Sequence, residues 1–171
     1  NGNANAIYNL AKMMKKGHGF KPDLSNAIKY FKKAAKLGQM DALHHLGNLH
    51  FHGKGFPQSY QKAFECYLKS SYDNIPSSHF KLGLMYEKGL GVEINKFKVI
   101  QHYEIAGENG YYSAFLKLAH FFLDGKMFDV NVPKAIEYLK KCAETDGERF
   151  YLENNGYYNI RFNKAYYVAN N

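Results

Sequence analysis

Four histidines fall within a short stretch, His44, His45, His50 and His52, and imidazole is the commonest protein ligand for zinc. Two histidines at i, i+4 or a His-Glu-x-x-His run would put both on one metal. His50-Phe-His52 has neither spacing, and no partner ligands recur around it, so no metal or other cofactor is expected. Two Ser-x-x-Lys stretches, Ser59 to Lys62 and Ser78 to Lys81, share the spacing of the nucleophile in penicillin-recognising enzymes. Their companion Ser-Asp-Asn and Lys-Thr-Gly elements are missing, which leaves β-lactam binding or hydrolysis without its machinery. Gly89-Leu-Gly91 follows a helical pattern and not a strand, so it is no phosphate-cradling loop. The chain is expected to be non-catalytic.

What positions these residues is a repeat. Displaced by 36 residues, Leu46-Gly47 lands on Leu82-Gly83, Leu118-Ala119 and Leu10-Ala11, and Gly53 on Gly17, Gly89 and Gly125. A fixed period of this size is the signature of a stacked array in which each unit buries its apolar face only against its neighbours. Within a unit, Ala42, Leu46, Gly47 and His50 stand at helical spacing, with His50 in the position of a buried aromatic. Glycine in mid-helix costs about 1 kcal/mol, so Gly47 and Gly83 predict close approach of another helix. The pairs Gly17/Gly19, Gly53/Gly55 and Gly89/Gly91 suit a left-handed helix stop and a tight turn. Phe20, Phe56, Val92 and Phe128 then plug the loop. Met127 replaces the second loop glycine of the last unit, which predicts a different turn there.

The second helix of each unit has candidate caps in Asp23, Ser25 and Ser59, and Pro133 suits a first turn. Its buried stripe reads small, large, small: Ala27, Phe31, Ala34; Ala63, Tyr67, Ser70; Val99, Tyr103, Ala106; and Ala135, Leu139, Cys142. Gly38, Asn74, Gly110 and Asp146-Gly147 turn the chain into the next unit. Gly2 shares the register of Gly38, as though the sequence opened on the end of an upstream unit.

The pattern Ala, Leu-Gly, aromatic, Gly-x-Gly, then Ala, aromatic, Ala-Ala and Gly resembles the Sel-1-like repeat, a relative of the tetratricopeptide repeat with a longer loop between its helices. The resemblance implies an all-α, right-handed α–α superhelix (solenoid) of four helix-turn-helix repeats. The array would cover 1–149, with units of about 6–41, 42–77, 78–113 and 114–149. After Arg149 the pattern fails, and 150–171 is expected to be a degenerate capping helix and tail. Members of this family discussed as β-lactam-binding carry paired cysteines in each repeat, which this chain lacks.

No run of 18 apolar residues exists to span a membrane. Cys66 and Cys142 lie two units apart, beyond the roughly 7 Å Cα separation a disulfide tolerates, and free thiols point to a reducing compartment. The formal charge of +8 is concentrated in columns of the second helices, Lys62, Lys98 and Lys134, and Lys33, Lys69 and Lys141. A solvated convex face accounts for them, with binding of nucleic acid or an acidic partner as the alternative.

The resemblance implies a scaffold or adaptor for a protein or peptide partner. By analogy with tetratricopeptide arrays, the partner would lie in a concave groove lined by first-helix positions that the packing rule leaves free. These are Tyr8, Lys12 and Lys15; His44, Asn48, Phe51 and His52; Phe80, Leu84, Glu87 and Lys88; and Leu116, His120 and Leu123. Phe51, Phe80, Leu84 and Leu116 form an apolar middle beside a basic end at Lys12, Lys15 and Lys16. Phe51 and Phe80 stand where the repeat requires no aromatic, so they are expected to anchor a ligand and to contribute little to the core.

Overall fold

A computed structural model describes residues 2–19 and 21–143. It holds eight helices in chain order: α1 (Gly2–Lys16), α2 (Leu24–Lys36), α3 (Met40–His52), α4 (Tyr60–Ser71), α5 (Pro76–Lys88), α6 (Lys96–Glu108), α7 (Ser113–Asp124) and α8 (Val132–Ala143). Among the described residues there is no strand. Each odd-numbered helix packs on the even-numbered helix that follows it, and each even-numbered helix packs on the next odd one. The second helices begin at 24, 60, 96 and 132, which keeps the period of 36 without slippage. The expected capping segment at 150–171 lies outside the described residues.

Local chemistry explains the recurrence. Asp23, Ser59, Asn95 and Asn131 occupy one column, and each side chain accepts from the backbone N–H three residues on, at 2.9, 3.3, 3.0 and 3.0 Å. Such a cap satisfies one of the donors that a helix start leaves unpaired. The same residues donate their own N–H back to the first helix of the unit, to Met14, His50, Tyr86 and Phe122, at 2.9, 3.0, 3.2 and 2.8 Å. That bond straps the loop shut. Ser25, the other expected cap, lies inside α2, because Asp23 already fills the capping position. Gly2 opens α1 and is not a turn glycine.

Gly53, Gly89 and Gly125 end α3, α5 and α7 in the left-handed region at φ of 65°, 66° and 67°. Asn74 is the described non-glycine residue with positive φ. Met127 therefore does not copy Gly55 and Gly91, and the fourth loop takes a different turn, as its sequence predicts. Gly91 has a second constraint: an added Cβ would meet the Tyr60 carbonyl carbon at 2.7 Å.

Mid-helix glycines mark the closest helix approach. A Cβ on Gly47 would stand 2.7 Å from the Tyr67 ring and one on Gly83 2.8 Å from the Tyr103 ring. Both tyrosines are completely buried, as is Phe31, the equivalent ring in unit one. Unit four departs from the expected stripe, since Tyr138 is buried in place of Leu139, which stays half-buried. The cause is aromatic packing: Tyr138 stacks on Phe115 and Phe122 at 6.1 and 6.0 Å, and its hydroxyl donates to Glu104 at 2.6 Å. His50 is also only half-buried, stacked on the loop plug Phe56 at 4.2 Å.

Candidate functional site

The first-helix columns are where sequence places the binding residues, and the structure divides them into three groups. The first is drawn into a polar knot between α3, α4 and α5. The Asn48 amide donates to His44 Nε2 at 2.9 Å, so His44 carries its proton on Nδ1 and donates it to Ser78 Oγ at 2.9 Å. The Ser70 and Ser78 hydroxyls share a 2.6 Å hydrogen bond, and Ser70 reaches the Tyr67 carbonyl at 3.0 Å. The Tyr67 hydroxyl donates to Asn48 Oδ1 at 2.9 Å, which closes the circuit. The circuit needs a neutral His44. Burial, with smaller contributions from His45, Lys81 and Lys15, pushes its pKa down to about 4.

A second group holds half-buried rings that belong partly to the core. Tyr8 lies against Phe31 and His45 at 6.1 and 5.7 Å, with the Lys12 ammonium over its ring at 4.5 Å. Phe51 meets Tyr60 at 5.2 Å and Tyr67 at 6.5 Å, and Phe80 meets Tyr103 at 5.3 Å and Tyr111 at 4.6 Å. The expectation that Phe51 and Phe80 contribute little to the core is therefore corrected, because each covers the buried tyrosine of its own unit. Leu116 and Leu123 likewise pack on the cluster around Tyr103, Leu118 and Phe122.

The third group keeps polar or apolar surface open to water. His52 and Lys88 are exposed, and Lys12, Lys15, Leu84 and His120 are half-buried. Glu87 is engaged from two sides, accepting from the Tyr103 hydroxyl at 2.6 Å and from Lys117 Nζ at 2.7 Å. Sequence reasoning missed Lys81 and Lys117. Lys117 reaches Glu87 of the preceding unit across 30 residues, and Lys81 sits over Phe51 at 5.0 Å, again 30 residues back. The signal was the column next to Tyr8, His44, Phe80 and Leu116, which faces the preceding first helix.

The motifs that could do chemistry have other occupations. Ser59 caps α4 through its hydroxyl, and Ser78 is completely buried within the polar knot. Among the described residues no group of three metal-ligating side chains assembles, and no helix is long and apolar enough to cross a membrane. Cys66 is a free thiol whose pKa burial raises, with Glu65 adding to the rise. On the second helices Lys33, Lys62 and Lys69 are exposed, but Lys134 and Lys141 lie over the rings of Phe122 and Phe115 at 4.8 and 5.8 Å.

Helix pairs stacked at a constant period, with small residues at each helix contact, define an α-solenoid repeat protein. The Sel1 repeat profile matches residues 4–39, 41–74, 76–111 and 115–144, and the chain belongs to the Sel1-repeat family. Similar solved structures include a Sel1 repeat protein from Oxalobacter formigenes, with a TM-score of 0.78 and 27% identity over 82% of this chain. Another is c5321, a protective antigen of uropathogenic Escherichia coli with the same repeat fold, at a TM-score of 0.77 and 27% identity over 90% of this chain. The chain spans 58% and 34% of the length of those two proteins. A search of curated proteins gives no significant match. Sel1-repeat proteins in general mediate protein–protein interactions, and their scaffolds are typically non-catalytic.

Proposed function

We propose that this chain is a non-catalytic scaffold whose first helices bind a peptide or protein segment. The observation that carries the reading is a run of half-covered apolar side chains on the first helices. Phe51, Phe80, Leu84, Leu116 and Leu123 stay half-covered on successive units, beside the completely buried second-helix rings of Tyr67 and Tyr103. A run of partly exposed apolar side chains on one face is what an interaction surface offers. Phe51 and Phe80, held at a tilt against the buried rings of Tyr67 and Tyr103, lose little freedom on binding, which favours them as anchors.

The test uses Phe51→Leu together with Phe80→Leu, which keeps apolar volume against Tyr67 and Tyr103 but removes the ring faces. Partners captured by crosslinking in the native source are compared for wild type and variant. Binding should weaken by about 1–2 kcal/mol, the range for hot-spot aromatics, while melting moves little, because volume-conserving swaps cost under about 1.5 kcal/mol. Full retention of the partner by a folded variant would move the interface to the loops or the second helices.

A further inference from the structure

The cations of the first-helix face are unevenly placed. Lys12, Lys15 and Lys16 on α1, Lys54 after α3 and Lys81 on α5 gather on its first half: His45 feels Lys12, Lys15 and Lys16, and His52 feels Lys15, Lys54 and Lys81. Lys15 and Lys81 are half-buried, and loss of hydration lowers the pKa of both. Among the described residues none of the five takes part in an ion pair. Lys12 and Lys81 rest instead over the rings of Tyr8 and Phe51. Among Tyr8, Lys15, His44, His45, His52 and Lys81, only Tyr8 feels a carboxylate, that of Asp41.

Along α5 the character changes. Beyond Phe80 and Lys81, Glu87 and Lys117 cancel one another at 2.7 Å, and the columns continue as the half-buried Leu84, Leu116 and Leu123, with the exposed Lys88 at the end of α5. One half of the face is cationic, with the Asp41 carboxylate felt at Tyr8, and the other is mainly apolar.

Resting on the scaffold reading above, we infer that the occupant is a protein segment with carboxylates at one end and apolar side chains at the other. Its acidic end lies over α1, α3 and the start of α5, and its apolar end over the rest of α5 and α7. Half-dehydrated ammonium groups have already lost part of their solvation, so a carboxylate brought to them gains more than it would at fully hydrated lysines. A nucleic acid fits less well. It carries phosphate along its whole length and would draw affinity from a continuous cationic stripe, but here the stripe stops at α5.

Fluorescence anisotropy with three labelled probes of equal length tests this: a peptide joining a Glu-rich block to a Leu/Phe block, the same peptide with Gln for Glu, and single-stranded oligothymidine. The acidic peptide should bind about tenfold or more tighter than its Gln counterpart at low salt, and the gap should close as salt rises. Lys15→Glu with Lys81→Glu should reduce its affinity at least about tenfold, and Lys62→Glu with Lys98→Glu should leave it unchanged. If the Glu pair fails to fold, Lys15→Gln with Lys81→Gln gives the same test with a smaller loss. Equal binding of the Gln peptide, still lost on Phe51→Leu with Phe80→Leu, would overturn the charge inference and leave the scaffold reading standing. Tighter binding of oligothymidine, or binding of none of the three, would overturn it as well.

Discussion

Three junctions join consecutive units, and two of them are apolar where the middle one is polar. Corresponding columns hold Ala34 and Ala42 at the first junction, Ser70 and Ser78 at the second, and Ala106 and Ala114 at the third; all six residues are fully buried, and the two serine hydroxyls are hydrogen-bonded. The contrast continues inside unit three. Where unit four stacks Phe115 on Tyr138, unit three pairs His79 with His102, Nδ1 to Nδ1 at 3.0 Å. His79 Nε2 donates to the Ser71 carbonyl at 3.2 Å, so His79 Nδ1 must accept and His102 must donate. The period therefore enforces size and leaves polarity open, since Ser replaces Ala and His replaces an aromatic without moving a helix. Polarity at such a site is tolerated only when every donor finds an acceptor. The His44 circuit and the His79–His102 pair meet that condition only with neutral imidazoles, whereas His45 Nδ1 and His50 Nδ1 are buried without a hydrogen-bond partner.

Acid should break the comparison most strongly. Burial, aided by His79 and Lys98, pushes the His102 pKa down to about 4, and His44 falls to about 4 as well; His79 is lowered by burial against the pull of the Ser71 carbonyl. These pKa values are depressed below the unfolded value near 6.5, so as pH falls the unfolded chain takes up protons first. Stability is full above about pH 6.5 and declines toward pH 4, by on the order of 3 kcal/mol for each of His44 and His102. Urea midpoints at pH 7 and 4.5 measure it, and a flat profile would show that these imidazoles do not need to be neutral.

Cavity formation comes next. Leu82→Ala and Leu118→Ala occupy one column under different junctions, both side chains being fully buried, and each should cost about 2–5 kcal/mol. Urea unfolding at pH 7 should give the two within about 1 kcal/mol of each other. A larger gap would mean that the polar junction loosens the packing beneath it. His102→Ala should cost about 2 kcal/mol by leaving His79 without its donor. Transplanting the unit-four pair, His79→Phe with His102→Tyr, should remove that pair's share of the acid loss and leave the share of His44; at pH 7 it should cost about 1–3 kcal/mol, because Leu68 stands in the column where Glu104 accepts from the Tyr138 hydroxyl. The smallest effect belongs to Ser78→Ala, about 1 kcal/mol, since it leaves the His44 donor only the longer contact with Ser77 Oγ at 3.5 Å. Ser70→Ala added to it should cost little more, and a double-mutant cycle on the pair gives the coupling.

Much of the fold was legible because each signal recurred. Left-handed stops at Gly53, Gly89 and Gly125 and close approaches at Gly47 and Gly83 follow from glycine's lack of a Cβ, a local property that any stacking partner would exploit. Asn95 and Asn131 could have been read as caps from the column they share with Asp23 and Ser59. The candidate site was less legible. Phe51 and Phe80 look free in a column of mixed residue types, yet both cover a tyrosine from the second helix, and nothing in their own spacing reports how far that ring extends.

The sequence by itself determined the period, the helix boundaries and the small-residue contacts, because those depend on backbone conformation and side-chain size within one unit and repeat in the next. The tertiary structure decided which polar groups meet. The circuit through His44, Asn48, Tyr67, Ser70 and Ser78, the proton shared by His79 and His102, and the choice of Tyr138 over Leu139 all depend on side chains from separate helices arriving within about 3 to 6 Å of each other, the range in which hydrogen bonds and ring contacts operate. A one-dimensional pattern specifies a face to within a column, whereas a hydrogen bond depends on tenths of an ångström.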